Sequence, residues 1–183
     1  EPLPLGDVAS LSTDILGASL QDREVAQIHE RSDGNPFFVE ELLCCRDDYV
    51  ESMPASLRDV LLSRVDALED GPRRLLSVAA VGGREVEHEV LMAVADREDA
   101  ATDVRTLVEA GLLLPTRALD GDDAYSFRHA LVQEAVYESM LPTERRRLHH
   151  GWGEYLDGHA AVSVAGLVQQ AYHWREARDP RAL

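Results

Sequence analysis

Cysteine is scarce in this sequence: two residues in 183, and they are neighbours, Cys44 and Cys45. Adjacent cysteines cannot staple distant segments, so no disulfide framework is expected and the pattern fits a reduced, cytoplasmic protein. Long apolar runs are missing too. None approaches the roughly 18 residues of a membrane span. The opening Glu1-Pro2-Leu3-Pro4 has neither the basic flank nor the apolar core of a signal peptide. Without an initiator Met, the chain reads as a piece of a longer polypeptide. Basic residues are few: 18 against 34 Asp and Glu, a net charge of -16. Duplex DNA repels such a chain unless a local basic face exists, and only Arg145, Arg146 and Arg147 cluster. No direct nucleic-acid binding is expected, and no membrane partner. What is present is a globular composition. Hydrophobic residues make up 45%, too many for a disordered chain, and the length suits one ordinary domain or two small ones.

The chemical motifs of self-sufficient enzymes are also absent. The chain has no G-x-x-x-x-G-K-[ST] or G-x-G-x-x-G loop to cradle phosphates, no H-E-x-x-H or paired Cys-x-x-Cys, and no G-x-S-x-G elbow. No catalytic residue, metal ligand or self-bound cofactor is therefore expected of this chain. His149 and His150 are adjacent and point about 100° apart on a helix. His159 and His173 are too far apart in the chain for a local chelate, so these histidines read as solvated or interface residues. Cys44-Cys45 reads as a core-and-flank pair, and Arg145–Arg147 as a solvated helix start.

Periodicity makes most of the chain helical. Val8, Leu11, Ile15 and Leu16 mark a first helix closed by Gly17; Val25 and Ile28 mark a second that stops at Asp33-Gly34. Pro36 starts a third with Phe37, Phe38, Val39, Leu42 and Leu43. Pro54 opens a fourth, with Leu57, Val60, Leu61, Val65 and Leu68 along one face. Asp70 looks like the cap of a fifth, whose buried stripe is Leu75, Leu76, Val78 and Ala79. Short helices follow around 87–95 and 99–110, the latter closed by Gly111. Leu112–Leu114 reads as a strand stopped by Pro115, and Tyr125 and Phe127 alternate as strand residues should. Three helices and then a two-stranded hairpin is the order of a winged helix. Leu131, Val132, Ala135, Val136 and Met140 return to helical spacing, ended by Pro142. Thr143 can cap the next helix, lined by Leu148, Trp152, Tyr155 and Leu156. A last helix carries Leu167, Val168, Ala171, Tyr172 and Trp174. The expected fold is mainly α: a helical bundle over 1–68, a winged-helix domain with a small β-hairpin over 69–141, and a first helical hairpin over 142–183.

Two segments stand out. One is Asp33-Gly34-Asn35-Pro36-Phe37-Phe38-Val39-Glu40-Glu41-Leu42-Leu43; the other is Phe127-Arg128-His129-Ala130-Leu131-Val132-Gln133-Glu134-Ala135-Val136-Tyr137. Taken alone, they are a helix stop before a Pro-started helix, and a strand-to-helix junction capped by a histidine. In this order and spacing they resemble the large ATP-binding transcriptional regulators of the LuxR type, members of the STAND class of signal-transducing NTPases. Leu57–Arg64, Leu141–His149 and His173–Asp179 resemble the same family. The resemblance covers nearly the whole chain and places it after the P-loop ATPase core: helical lid, winged helix, and the start of a tetratricopeptide-like array.

The resemblance implies roles. Gly34-Asn35-Pro36 matches the G-x-P element that packs beside the adenine. His129 matches the histidine that contacts the β-phosphate of ADP in the closed state, although Ala130 follows it where related proteins often carry Asp. The implied function is a switch in which this segment clamps ATP or ADP bound to a preceding P-loop core. It would couple that nucleotide to the following helical repeats, with self-association on activation. Two other readings stand beside it. A protein-interaction scaffold needs no nucleotide. A DNA-binding winged helix would use 99–110 as its reading helix, but Asp99, Asp103 and Glu109 oppose a single Arg105 there, and Asp120, Asp122 and Asp123 fill the hairpin tip.

Overall fold

A computed structural model describes residues 2–44, 55–96, 99–118, 121–159 and 164–182. Among these, the chain is mainly helical with one small three-stranded antiparallel sheet. In chain order the elements are α1 (Leu5–Leu16), α2 (Asp22–Ser32), α3 (Pro36–Cys44), α4 (Ala55–Asp66), α5 (Asp70–Gly82), β1 (Glu85–Glu87), α6 (His88–Ala95), α7 (Ala100–Glu109), β2 (Leu113–Arg117), β3 (Asp123–Phe127), α8 (Ala130–Ser139), α9 (Pro142–His159) and α10 (Val164–Ala177). They form two compact units, 1–67 with 129–135, and 68–128 with 136–183. No helix among the described residues is long and apolar enough to cross a membrane.

The first unit follows the expected punctuation. Gly17 ends α1 at φ 67°, its N–H donating to the Thr13 carbonyl at 2.9 Å. A capping box opens α2: the Gln21 N–H donates to the Glu24 carboxylate at 2.8 Å, satisfying an N–H that a helix start leaves open. Val8, Val25, Ile28, Phe38, Val39, Leu42 and Leu43 are buried, as are Leu61 and Val65 of α4. The stripe on α4 is narrower than its sequence suggests. Leu61 and Val65, four residues apart, share the buried side, whereas Val60 lies about 100° away and is 52% exposed. Pro54 and the side chains of Leu57 and Cys44, like Cys45, lie outside the described residues.

In the second unit the sheet has order β1-β3-β2, with Val86 opposite Tyr125 and Leu113 opposite Phe127. A third strand therefore joins the expected hairpin. Glu85-Val86-Glu87 is too short and polar to announce itself by periodicity, and only Val86 is buried. Pro115 lies inside β2 and does not stop it. Strand β2 is an edge, where a residue without an N–H leaves no ladder bond unmade on the open side. Glu69, not Asp70, holds the cap position of α5, and the Asp70 carboxylate accepts instead from Arg73 at 2.7 Å. Pro142 starts α9 and does not merely end α8, because Pro suits a first helical position where the N–H has no partner anyway. Thr143 is consequently inside the helix.

Tryptophans dominate this core. The Trp152 indole N–H donates to the Val78 carbonyl at 3.1 Å. Gly82 and Gly153 are pressed against the two indoles: a Cβ on Gly153 would stand 2.8 Å from Trp174, and one on Gly82 would overlap Trp152. Two histidines correct the solvated reading. His149 and His173 are each 1% exposed, with facing Nδ1 atoms 2.9 Å apart sharing a hydrogen bond. The Tyr137 hydroxyl pairs with His149 Nε2 at 2.9 Å, and Trp152 stacks on the His173 ring at 5.5 Å. Burial pushes both imidazoles down to about 4 from the usual 6.5, which keeps them neutral near pH 7.

Candidate functional site

The residues singled out for nucleotide contact all belong to the first unit. Helix α2 ends in two successive left-handed residues, Asp33 at φ 49° and Gly34 at φ 69°. Gly34 is demanded twice over. Its φ favours glycine, and a Cβ there would overlap the Leu3 carbonyl oxygen. The Leu3 N–H donates to the Gly34 carbonyl at 2.7 Å, and His29 Nε2 donates to the Leu3 carbonyl at 3.1 Å. The buried Ser32 hydroxyl accepts the Gly34 N–H at 3.2 Å. Asn35 then accepts the Phe37 N–H on its Oδ1 at 3.1 Å, a side-chain cap for α3, with Pro36 in the first helical position. Gly34 is buried and Asn35 half-buried, while Pro36 and Phe37 are exposed.

His129 stands at the start of α8 and is brought to this turn. Its Nδ1 lies 3.5 Å from Asp33 Oδ2, and its ring is edge-on to Phe38, centroids 5.2 Å apart at 88°. The same Asp33 oxygen accepts the Ala130 N–H at 3.3 Å. Asp33 is thus a cap for α8 supplied from 97 residues earlier, where a negative charge meets the positive end of the helix. One turn further, Arg31 grips Glu134 with two nitrogens, Nη2 at 2.7 Å and Nε at 3.3 Å. Both side chains are half-buried.

The structure therefore places His129 against the residues that flank Gly34-Asn35-Pro36, Asp33 before them and Phe38 after. Asp33, Phe38, Arg31 and Glu134 were not legible as partners of His129 or of one another. Their only signal is a helix-ending Asp and opposite charges about 100 residues apart. Chemically, a protonated imidazole beside Asp33 forms an ion pair on its Nδ1 side, and its Nε2 can offer a second N–H to an anion. No group of three or more His, Cys, Asp or Glu among the described residues could hold a metal ion.

No family model matches the chain, and no solved structure matches it. An uncharacterized protein of Rhizobium meliloti (strain 1021) is 30% identical over 168 residues, covering 76% of this chain. The chain spans 16% of the length of that curated relative.

Proposed function

We propose that this chain is the regulatory segment of a cytoplasmic, nucleotide-switched transcriptional regulator of the LuxR-type STAND class. In this reading 1–68 is the helical lid, 69–141 the winged helix and 142–183 the start of a tetratricopeptide-like array. The chain is not itself an enzyme. It grips ADP or ATP held by a preceding P-loop core, with Gly34-Asn35-Pro36 beside the base and His129 at the β-phosphate.

The observation that carries this reading is the meeting of His129 with Asp33 and Phe38 around the Gly34–Pro36 turn. Pro36 and Phe37 are exposed and offer a flat apolar surface beside that turn, of the kind a purine base covers. The order α5-β1-α6-α7-β2-β3, with its three-stranded sheet, supports the winged helix. Exposed Leu167, Val168 and Tyr172 on α10 give a following helical repeat something to cover. The match takes up 16% of the relative's length, which leaves ample room there for a core, a sensor array and an effector.

The DNA-reading alternative has less support, because Asp122 and Asp123 are exposed at the hairpin tip and α7 exposes Arg105 as its one base. A switch requires that each nucleotide bind the two states unequally. In the intact regulator, His129→Ala should therefore loosen ADP and raise basal transcriptional output. The nucleotide off-rate and a reporter assay read the two effects together, with His129→Gln as a check on folding. ADP retention and output that both stay unchanged in His129→Ala would overturn the clamp.

A further inference from the structure

Every basic residue of this chain is arginine, and three of the eighteen meet at one cavity. The cavity lies in the second unit, has a volume of about 220 Å³, and is lined by Arg145 and Arg146 of α9, Arg178 just past α10, Tyr137, His149 and Glu176. Arg178 takes up the left-handed conformation, φ 59°, at the end of α10, where glycine is the usual residue. Arg145 lies over the Tyr137 ring at 5.2 Å, and its Nε is buried without a hydrogen-bond partner. The one acid on the wall, Glu176, already accepts from Arg175 at 3.2 Å. In a chain of net charge -16, three guanidinium groups converging without a carboxylate of their own leave a local surplus of positive charge.

We propose that this cavity is a binding site for the phosphate group of a small soluble molecule. Guanidinium forks match phosphate oxygens two at a time and remain charged at any physiological pH. The Arg145 Nε–H would gain its missing acceptor. The cavity volume of about 220 Å³ admits a phosphate group with room to spare. A bound anion would also touch the histidine pair, because His149 lines the cavity and pairs with His173. The groups facing His149 are Tyr137 from α8, Arg145 from α9, and Tyr172, His173 and Glu176 from α10. The site uses none of the residues around Gly34 or His129.

The test titrates inorganic phosphate into the full 183-residue chain at constant ionic strength, reading arginine Nε–H and histidine ring signals by NMR. A saturable shift of the Arg145 Nε–H and the His149 ring is expected, with acetate giving none. Arg146→Gln with Arg178→Gln should weaken binding at least about tenfold at an unchanged melting temperature. Glucose 6-phosphate in a parallel titration names the source: tighter binding than inorganic phosphate supports a phosphomonoester, and equal binding supports the free ion. His129→Ala should bind phosphate as the parent chain does, so a failed clamp and a failed cavity give different results. Linear shifts, an equal response to acetate, or full affinity in the double variant would overturn the site.

Discussion

The two units handle buried polar groups in opposite ways. In the first, charge is kept and stays near water: Arg31 and Glu134 form a half-buried ion pair, and the half-buried Asp33 carboxylate caps α8 beside the His129 ring. In the second, charge is given up: His149 and His173 are almost fully enclosed and held neutral by burial, bonded to each other, with Tyr137 bonded to His149. Removing an imidazole from water disfavours its charged form, whereas a half-exposed ion pair forgoes little hydration and contributes little stability. The first arrangement leaves charge within reach of solvent, and the second packs neutral polar rings into a core.

The contrast breaks most forcefully at Trp174. Trp174→Ala empties an almost fully buried site and should destabilise the second unit by about 4 kcal/mol. Amides of α9 and α10 should lose hydrogen-exchange protection, and those of α1 to α3 should keep it. Equal loss in both units would erase the distinction between them.

Acid should act next. The folded-state values of His149 and His173, about 4, lie below the 6.5 of the unfolded chain, so the unfolded state takes up protons first. Stability is complete above about pH 6.5 and is lost as the pH falls towards 4. Urea unfolding at a series of pH values measures the slope, and the His149→Gln, His173→Gln double variant should flatten it. An unflattened slope would assign the acid sensitivity to other groups.

The smallest of these effects belongs to the first unit. Gly34→Ala meets the Leu3 backbone and a left-handed φ, and should cost about 2 kcal/mol. Loss of protection should appear at Leu3 and the ends of α2 and α3, with α9 and α10 unmoved.

Much of the helical plan was legible because its signals are local. Gly17, the Asp33-Gly34 stop, Pro36 and Gly111 punctuate helices within a few residues, and the stripe Leu131, Val132, Ala135 and Val136 is buried as its spacing implies. Strand β1 was not legible, since a three-residue strand exists only through its pairing with β3. The histidine pair was hidden for a related reason. Nothing in His149 or His173 alone indicates that 24 residues of chain return one ring to the other. At the candidate site, the types and positions of Gly34, Asn35, Pro36 and His129 could be read, but Asp33 as the hinge of the arrangement could not. Its part depends on Ala130, 97 residues on, and a contact at that range leaves no periodic trace.

Both tryptophans of the chain, Trp152 and Trp174, sit in the same unit, each flattened against a glycine. Tryptophan fluorescence is therefore a one-sided instrument. It will follow melting around the indoles and stay dark to whatever happens at Gly34, so a ligand that acts only on the first unit needs an added dye to be seen.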